Sequence, residues 1–334
     1  MRLGKISDSV LKRSVLGQIK TRRQEVLSGA GIGEDCAIFA PSGPFASTVA
    51  EATVCGGRDL AHTLVRCANN LATAGADPMA ALITLILPQE TEEQQLRELM
   101  AAAEEAGNRL GIQIAGGHTT VSTHVDCPIA CVTAYGIPMK DAPGVSLYTT
   151  RGARPGQDIV LTKWIALEGT AVLAGRKREE LRQRYPAHLV EEAAGFERYL
   201  SVVPEAAVAV KSGVQVMHDA SEGGILATLW ELAECSGVGL TIDLRKIPIR
   251  QETVEVCEFC EVNPYMLASG GCLVLAADHG EKLVEQLAGK HIPAAVIGQI
   301  TDSHDRLIYN MEEKRYLDKP AQDEIYKDIV WNYE

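Results

Sequence analysis

Short, nearly unbroken aliphatic runs alternate along this chain with longer stretches whose apolar residues recur every three or four positions. The run at 81–87 is bounded by two such stretches. Leu60, Leu64, Cys67, Leu71 and Ala74 precede it, and Leu96, Leu99, Ala103, Ala106 and Leu110 follow. An unbroken apolar run of that length reads as a buried strand, and the spaced sets read as one face of a helix. This alternation admits few architectures other than helices layered on a sheet. Asp59 and Thr91 are placed as the helix caps, Thr91 with Gln94 in a capping-box pattern, while Gly75 with Pro78, and Gly111, end the two helices.

Extended along the chain, the same reading makes residues 1–30 an amphipathic helix and a glycine-rich loop. Segments 36–39, 47–52, 112–115 and 129–135 are strands, so the first half runs β-β-α-β-α-β-β. Residues 140–155 are rich in Gly, Pro, Thr and Arg, have little periodicity and mark a boundary. The second half places strands at 158–162, 214–217, 238–242, 272–276 and 294–300. Helices fall at 201–211, 225–235 and 280–288, and another starts at 168. The expected organisation is α/β (α+β) in two domains, 1–140 and 150–304, with a peripheral tail at 305–334. Both halves put a Gly-Gly pair beside a histidine at an element junction, which hints at duplication.

A chain of 334 residues can bury two cores. Its formal net charge of −12 gives no counterion-release gain on a phosphate backbone, which excludes nucleic acid as a partner. The basic stretch 12–23 reads as a solvated helix face. No apolar run approaches the length of a membrane span, and the N-terminal residues lack a signal-peptide core. Nine cysteines, odd in number and irregularly spaced, read as reduced thiols of a cytoplasmic protein. Cys257 and Cys260 form a lone CxxC without a second pair.

Three junctions concentrate polar residues beside glycines. In Gly31-Ile32-Gly33-Glu34-Asp35 the glycines let backbone N–H groups approach a phosphate, and the carboxylates suit magnesium; the plain alternative is a turn before a strand. In Gly116-Gly117-His118-Thr119-Thr120, placed after a short buried strand, His118 suits a metal ligand, a phosphate donor or an acid–base group, or else a histidine satisfied by a turn carbonyl. In His218-Asp219-Ala220-Ser221-Glu222-Gly223-Gly224 a strand ends, carboxylates follow, and two glycines open a helix whose N-terminus favours an anion. There Asp219 suits magnesium, or Ser221 or Asp219 is only a helix cap. No P-loop, dinucleotide fingerprint or nucleophile elbow is present.

With these junctions in order, together with Asn69-Asn70-Leu71-Ala72-Thr73-Ala74-Gly75-Ala76-Asp77-Pro78 and Asn263-Pro264-Tyr265-Met266-Leu267-Ala268-Ser269-Gly270-Gly271, the chain resembles the AIR-synthase-like (PurM-like) superfamily. Within it, the chain is most similar to the hydrogenase maturation factors called HypE. The resemblance implies an AIR-synthase-like fold in each half, with the N-terminal sheets of two copies pairing into a barrel across a homodimer. It implies ATP and Mg²⁺ as cofactors, phosphoryl transfer as chemistry, and a maturation-factor partner. It makes Asp35, Glu51 and Asp219 the metal ligands, and Asp219, His118 and Glu222 the catalytic candidates. The nucleotide would be held by Gly31, Gly33, Asn70, Gly117, Thr119, Lys163, His218, Gly223 and Gly224. Relatives show Thr-Asp where this sequence has Ala50-Glu51, and Asn-Asp where it has Asn69-Asn70. One negative charge fewer implies weaker magnesium binding. The last cysteine of the sequence is Cys272, so the HypE reaction on a C-terminal cysteine is not expected, and the acceptor is left open. The alternatives are a catalytically weak nucleotide-binding or assembly paralogue, and a small-molecule kinase like thiamine-monophosphate kinase.

Overall fold

The computed structural model describes residues 4–5, 10–28, 30, 38–39, 43, 45–54, 56–140, 147–318 and 322–330. The chain divides into two compact units, 1–147 and 148–334.

In the first unit, β1 (Gly4–Lys5), β4 (Ala46–Thr53), β5 (Ala76–Leu87), β6 (Gln113–Val121) and β7 (Ile129–Pro138) form a five-stranded sheet in the order β1-β6-β5-β7-β4. A separate two-stranded ladder pairs β2 (Val26–Ser28) with β3 (Ile38–Phe39). The parallel β5–β6 pair is joined through the helix between them; every other pairing in the five-stranded sheet is antiparallel. Helices α1 (Gly57–Thr73) and α2 (Glu93–Leu110) bury Leu60, Leu64, Cys67 and Leu71 of one and Leu96, Leu99, Met100, Ala103 and Ala106 of the other. All but Met100 are residues whose spacing predicts the helices.

Local differences from the sequence reading have simple causes. Asp59 is not the N-cap of α1. It sits one turn in, and its carboxylate accepts the N–H of Gly56, the true cap, at 3.0 Å. Likewise α2 is capped by Glu92, whose N–H donates to Gln95 Oε1 at 2.8 Å, one residue later than the Thr91–Gln94 pairing. Helix α1 ends at Thr73, before Gly75 and Pro78 as expected, and Pro78 itself lies inside β5, where the ladder with β7 shifts register. Of the expected N-terminal helix, the described residues show a short π-type turn, Leu11–Leu16.

In the second unit, β8 (Asp158–Thr162), β9 (Val216–Asp219), β10 (Gly239–Asp243), β11 (Leu273–Ala277), β12 (Ala294–Thr301), β13 (Arg306–Asn310) and β14 (Glu313–Tyr316) form one sheet in the order β14-β13-β10-β12-β8-β11-β9. Its helices are α3 (Leu167–Arg176), α4 (Arg178–Arg184), α5 (Ala187–Ala194), α6 (Val203–Lys211), α7 (Gly224–Ser236), α8 (Gln251–Phe259), α9 (Gly280–Ala288) and α10 (Ile325–Val330). On one face Ile225, Leu229 and Leu232 of α7 join Ile159, Leu161, Val274, Ile297 and Ile300 in a single cluster. On the other, α9 lies against β12, β8 and β11, and α6 against β11. The sequence suggests a peripheral tail from 305, but β13 and β14 extend the sheet and Asp323 is buried. No helix among the described residues is long and apolar enough to cross a membrane.

Candidate functional site

The second junction is not a loop. Gly116, Gly117, His118, Thr119 and Thr120 all lie within β6, because its parallel ladder with β5 continues from Leu82 opposite Gly116 to Leu87 opposite Val121. Gly117 adopts φ 145°, and a Cβ there would run into the Ile83 carbonyl, so the close approach of the two backbones requires glycine. His118 faces solvent. In register it stands opposite Thr84, Thr84 opposite Cys131, and Cys131 opposite Glu51. Glu51 and His118 therefore share the sheet face away from the helices but lie three strands apart, about 14 Å at ordinary strand spacing. One small ion cannot touch both. Asn70 belongs to the opposite, helix-covered face, where its Nδ2 donates to Thr48 Oγ1 at 3.2 Å. Thr119 is buried. Gly31, Gly33 and Asp35 lie outside the described residues.

The third junction is built as a loop end. His218 and Asp219 are the last residues of β9, paired with Val274 and Leu273 of β11. Asp219 is only 5% exposed. His218 Nε2 lies 3.1 Å from Glu231 Oε2 on α7, and its Nδ1 lies 3.9 Å from Asp219 Oδ1. The first is a hydrogen bond; the second is an ion pair without one. Burial pulls the imidazole pKa down, but Asp219 and Glu231 outweigh it and raise it to about 9. The histidine is thus a fixed cation between two carboxylates.

The chain then turns through exposed Glu222 to Gly223, the left-handed cap of α7 at φ 84°, and Gly224 at φ 69°. A Cβ on Gly224 would lie 2.6 Å from the Tyr265 carbonyl oxygen, so this helix start is pressed against the 263–269 loop. Ser269 fastens the same corner. Its N–H donates to the Ser221 carbonyl at 3.1 Å, and its hydroxyl accepts the Ala166 N–H at 2.8 Å.

Lys163 follows β8, but its ammonium group is buried. It meets Glu205 Oε1 at 2.7 Å and the carbonyls of Tyr199 at 2.7 Å and Ser201 at 2.6 Å. All three of its protons are used, which leaves none for a phosphate. Glu231, Glu205, Ser269 and Asp323 were not singled out from sequence; each acts on a partner distant along the chain. Cys257 of the CxxC pair is buried, and desolvation pushes its thiol up to about 12.

A cleft opens at the other end of this sheet, lined by Arg154, Gln215, Asp278 and Lys282 among others. None of the motif residues lines it. No group of three or more His, Cys, Asp or Glu side chains among the described residues could hold a metal ion. Mg²⁺ needs less from a protein: one or two carboxylates, with phosphate oxygens and water completing the shell. Glu51 and Asp219 are single hard-oxygen donors of that kind.

Residues 19–138 match the family model described as AIR synthase related protein, N-terminal domain, and residues 154–310 match the model for its C-terminal domain. Carbamoyl dehydratase HypE of Rhodobacter capsulatus is 28% identical over 71% of this chain and 68% of its own length. Among solved structures, hydrogenase maturation protein HypE in complex with ATP superposes with a TM-score of 0.77 at 21% identity, over 95% of both chains. A HypE–HypF complex gives 0.66 at 24% identity, over 83% of this chain and 90% of the other. Two mixed α/β units, each matched by its own model in the same order, show that the chain belongs to the AIR synthase related family.

Proposed function

We propose that this chain is an ATP-dependent, magnesium-assisted phosphoryl-transfer enzyme of the HypE-like hydrogenase maturation type, acting on an acceptor yet to be identified. The observation that carries this reading is the loop end of β9. A nearly buried carboxylate, Asp219, stands beside a histidine braced by Glu231 and next to a glycine-started helix. Phosphoryl transfer demands positioning and charge neutralisation rather than covalent help from the protein. Mg²⁺, when bound, neutralises phosphate charge, and Asp219, Glu51 and Asp35 are its ligands in this reading. Glu222 and His118, both exposed, are the further catalytic candidates in this reading. The similarity to an ATP-bound HypE supports nucleotide as ligand, and the HypE–HypF complex supports a maturation-factor partner.

A homodimer belongs to the same reading. In the first unit Phe45 just before β4, Val49 on β4 and Ile129 on β7 are exposed, Val49 at 59%, and Val49 lies on the sheet face away from α1 and α2. A second copy would cover it and close a barrel. The described cysteines form no disulfide, which suits a reducing, cytoplasmic setting.

One observation favours a second reading, a nucleotide-binding paralogue with little turnover: Asn70 offers only a neutral amide where a carboxylate would bind the metal more strongly, and that amide is oriented by its Nδ2 donating to Thr48. Thermal unfolding with ATP, ADP and magnesium, run beside phosphate release, separates the two. Ligand at 100 times its Kd adds about 2.7 kcal/mol. We expect a magnesium-dependent shift with phosphate release, both lost in Asp219→Asn. A shift without release selects the paralogue, and no shift with any nucleotide rejects both.

A further inference from the structure

The cleft at the end of the second sheet away from His218 and Asp219 lies where α6 ends and α9 begins. Three of its lining residues, Val214, Ala277 and Leu283, are buried and give it an apolar base. Arg154, Asp278, His279 and Lys282 are exposed and form its rim. The rim therefore sets two fixed cations against one carboxylate, on a chain whose formal net charge is −12. A concave cationic spot on an acidic protein gathers anions that the rest of the surface repels.

One wall is held in place by a buried amide. Gln157, 7% exposed, accepts the Arg154 N–H at 2.8 Å through Oε1 and donates from Nε2 to Asp278 Oδ1 at 2.9 Å. Arg154 Nη2 donates to both oxygens of Asp278, at 3.2 and 3.0 Å. The guanidinium is thus fixed through one nitrogen, while its Nε and Nη1 make no hydrogen bond with any described residue. Lys282, in the first turn of α9, has neither an ion pair nor a hydrogen bond among the described residues. A positioned guanidinium with open N–H groups, an unpaired ammonium and an apolar base are the parts of a small-molecule site. Their order selects the ligand. Two cations on separate elements suit two carboxylates, and the base suits the methylenes between them. A bare phosphate would reach the cations and leave Leu283 and Ala277 uncovered.

We propose that this cleft binds a short-chain dicarboxylate, one carboxylate on the open N–H groups of Arg154 and the other on the Lys282 ammonium, with its methylenes over the base formed by Val214, Ala277 and Leu283. The site does not depend on the function proposed above.

The test titrates succinate, and separately inorganic phosphate, into the full chain by calorimetry at constant ionic strength. Arg154→Gln and Lys282→Gln remove the two cations; both side chains are exposed, so the fold should survive, and circular dichroism checks that it does. Lys290→Gln, just beyond the far end of α9, makes the same charge change outside the cleft. Succinate is expected to bind the wild type and to slow hydrogen exchange at 212–216 and 279–283. Arg154→Gln and Lys282→Gln should each weaken it about tenfold, while Lys290→Gln leaves it unchanged. Failure of succinate to bind the wild type with a Kd below about 1 mM overturns the site. So does equal binding to the wild type and the two cleft variants, an equal loss in all three variants, or slowed exchange confined to other segments. Phosphate that binds more tightly than succinate and displaces it overturns the dicarboxylate assignment.

Discussion

The two sheets are finished differently. In the first unit β4 alternates half-buried and exposed along its whole length, because α1 and α2 cover one face only. In the second, all five residues of β11 are buried, because α7 lies on one face and α6 and α9 on the other. One-sided cover leaves an apolar surface that a second copy of the chain can use. Two-sided cover confines polar chemistry to the strand ends, which is where His218, Asp219 and Lys163 lie. Burial at those ends also makes each charge depend on a named partner.

The largest effect is expected where burial is deepest. Glu205→Ala leaves the Lys163 ammonium buried with two carbonyls and no counter-charge, and should cost about 3–5 kcal/mol in denaturant unfolding. Replacing both residues with apolar ones should recover most of that. A single variant losing less than about 1 kcal/mol would show that the pair is not buried in solution.

Next comes His218. Its folded pKa of about 9 lies above the ordinary value of 6.5, so the folded state binds the proton more tightly. The stabilisation is full below about pH 6.5 and lost as pH rises through about 9, of the order of 3 kcal/mol. Metal-free protein should therefore weaken across that window, and Glu231→Gln should shrink the loss. A flat profile from pH 6.5 to 9.5 would break the argument.

On the open side, Val49→Asp should leave the fold of the first unit intact and raise the dimer dissociation constant about 100-fold, roughly 2.7 kcal/mol. Sedimentation would read this, and a monomeric protein, or a dimer that the substitution leaves unchanged, would reject the proposed barrel. The smallest effect is at α1: Asp59→Ala removes the acceptor for the Gly56 N–H and should cost about 1 kcal/mol.

The sequence exposed what is periodic. Leu60, Leu64, Cys67 and Leu71 announce α1 because one element's spacing sets its buried face. It misled at Gly116-Gly117, where adjacent glycines read as a break; only the ladder with β5 carries the strand through. Helices α4 and α5 were not assigned because their buried sides amount to Leu181, Val190, Ala193 and Ala194 amid charge. At the site, His218 and Asp219 stood out by their neighbours in the chain. Lys163, read as a phosphate contact, is explained only by Glu205, and the Gly223 amide only by Asp323. Such pairings leave no local pattern to read.

The order of the seven-stranded sheet also bears on how the chain is made. Interior β8 pairs with β11 and β12 and with no strand synthesised before or directly after it. When it leaves the ribosome it has neither neighbour, and the whole stretch 163–272 must emerge before the first can arrive. An apolar strand with both edges unpaired has to be shielded for that interval. The second unit should therefore be the part of the molecule that depends on chaperones during translation, while the first can close its five-stranded sheet as soon as β7 appears.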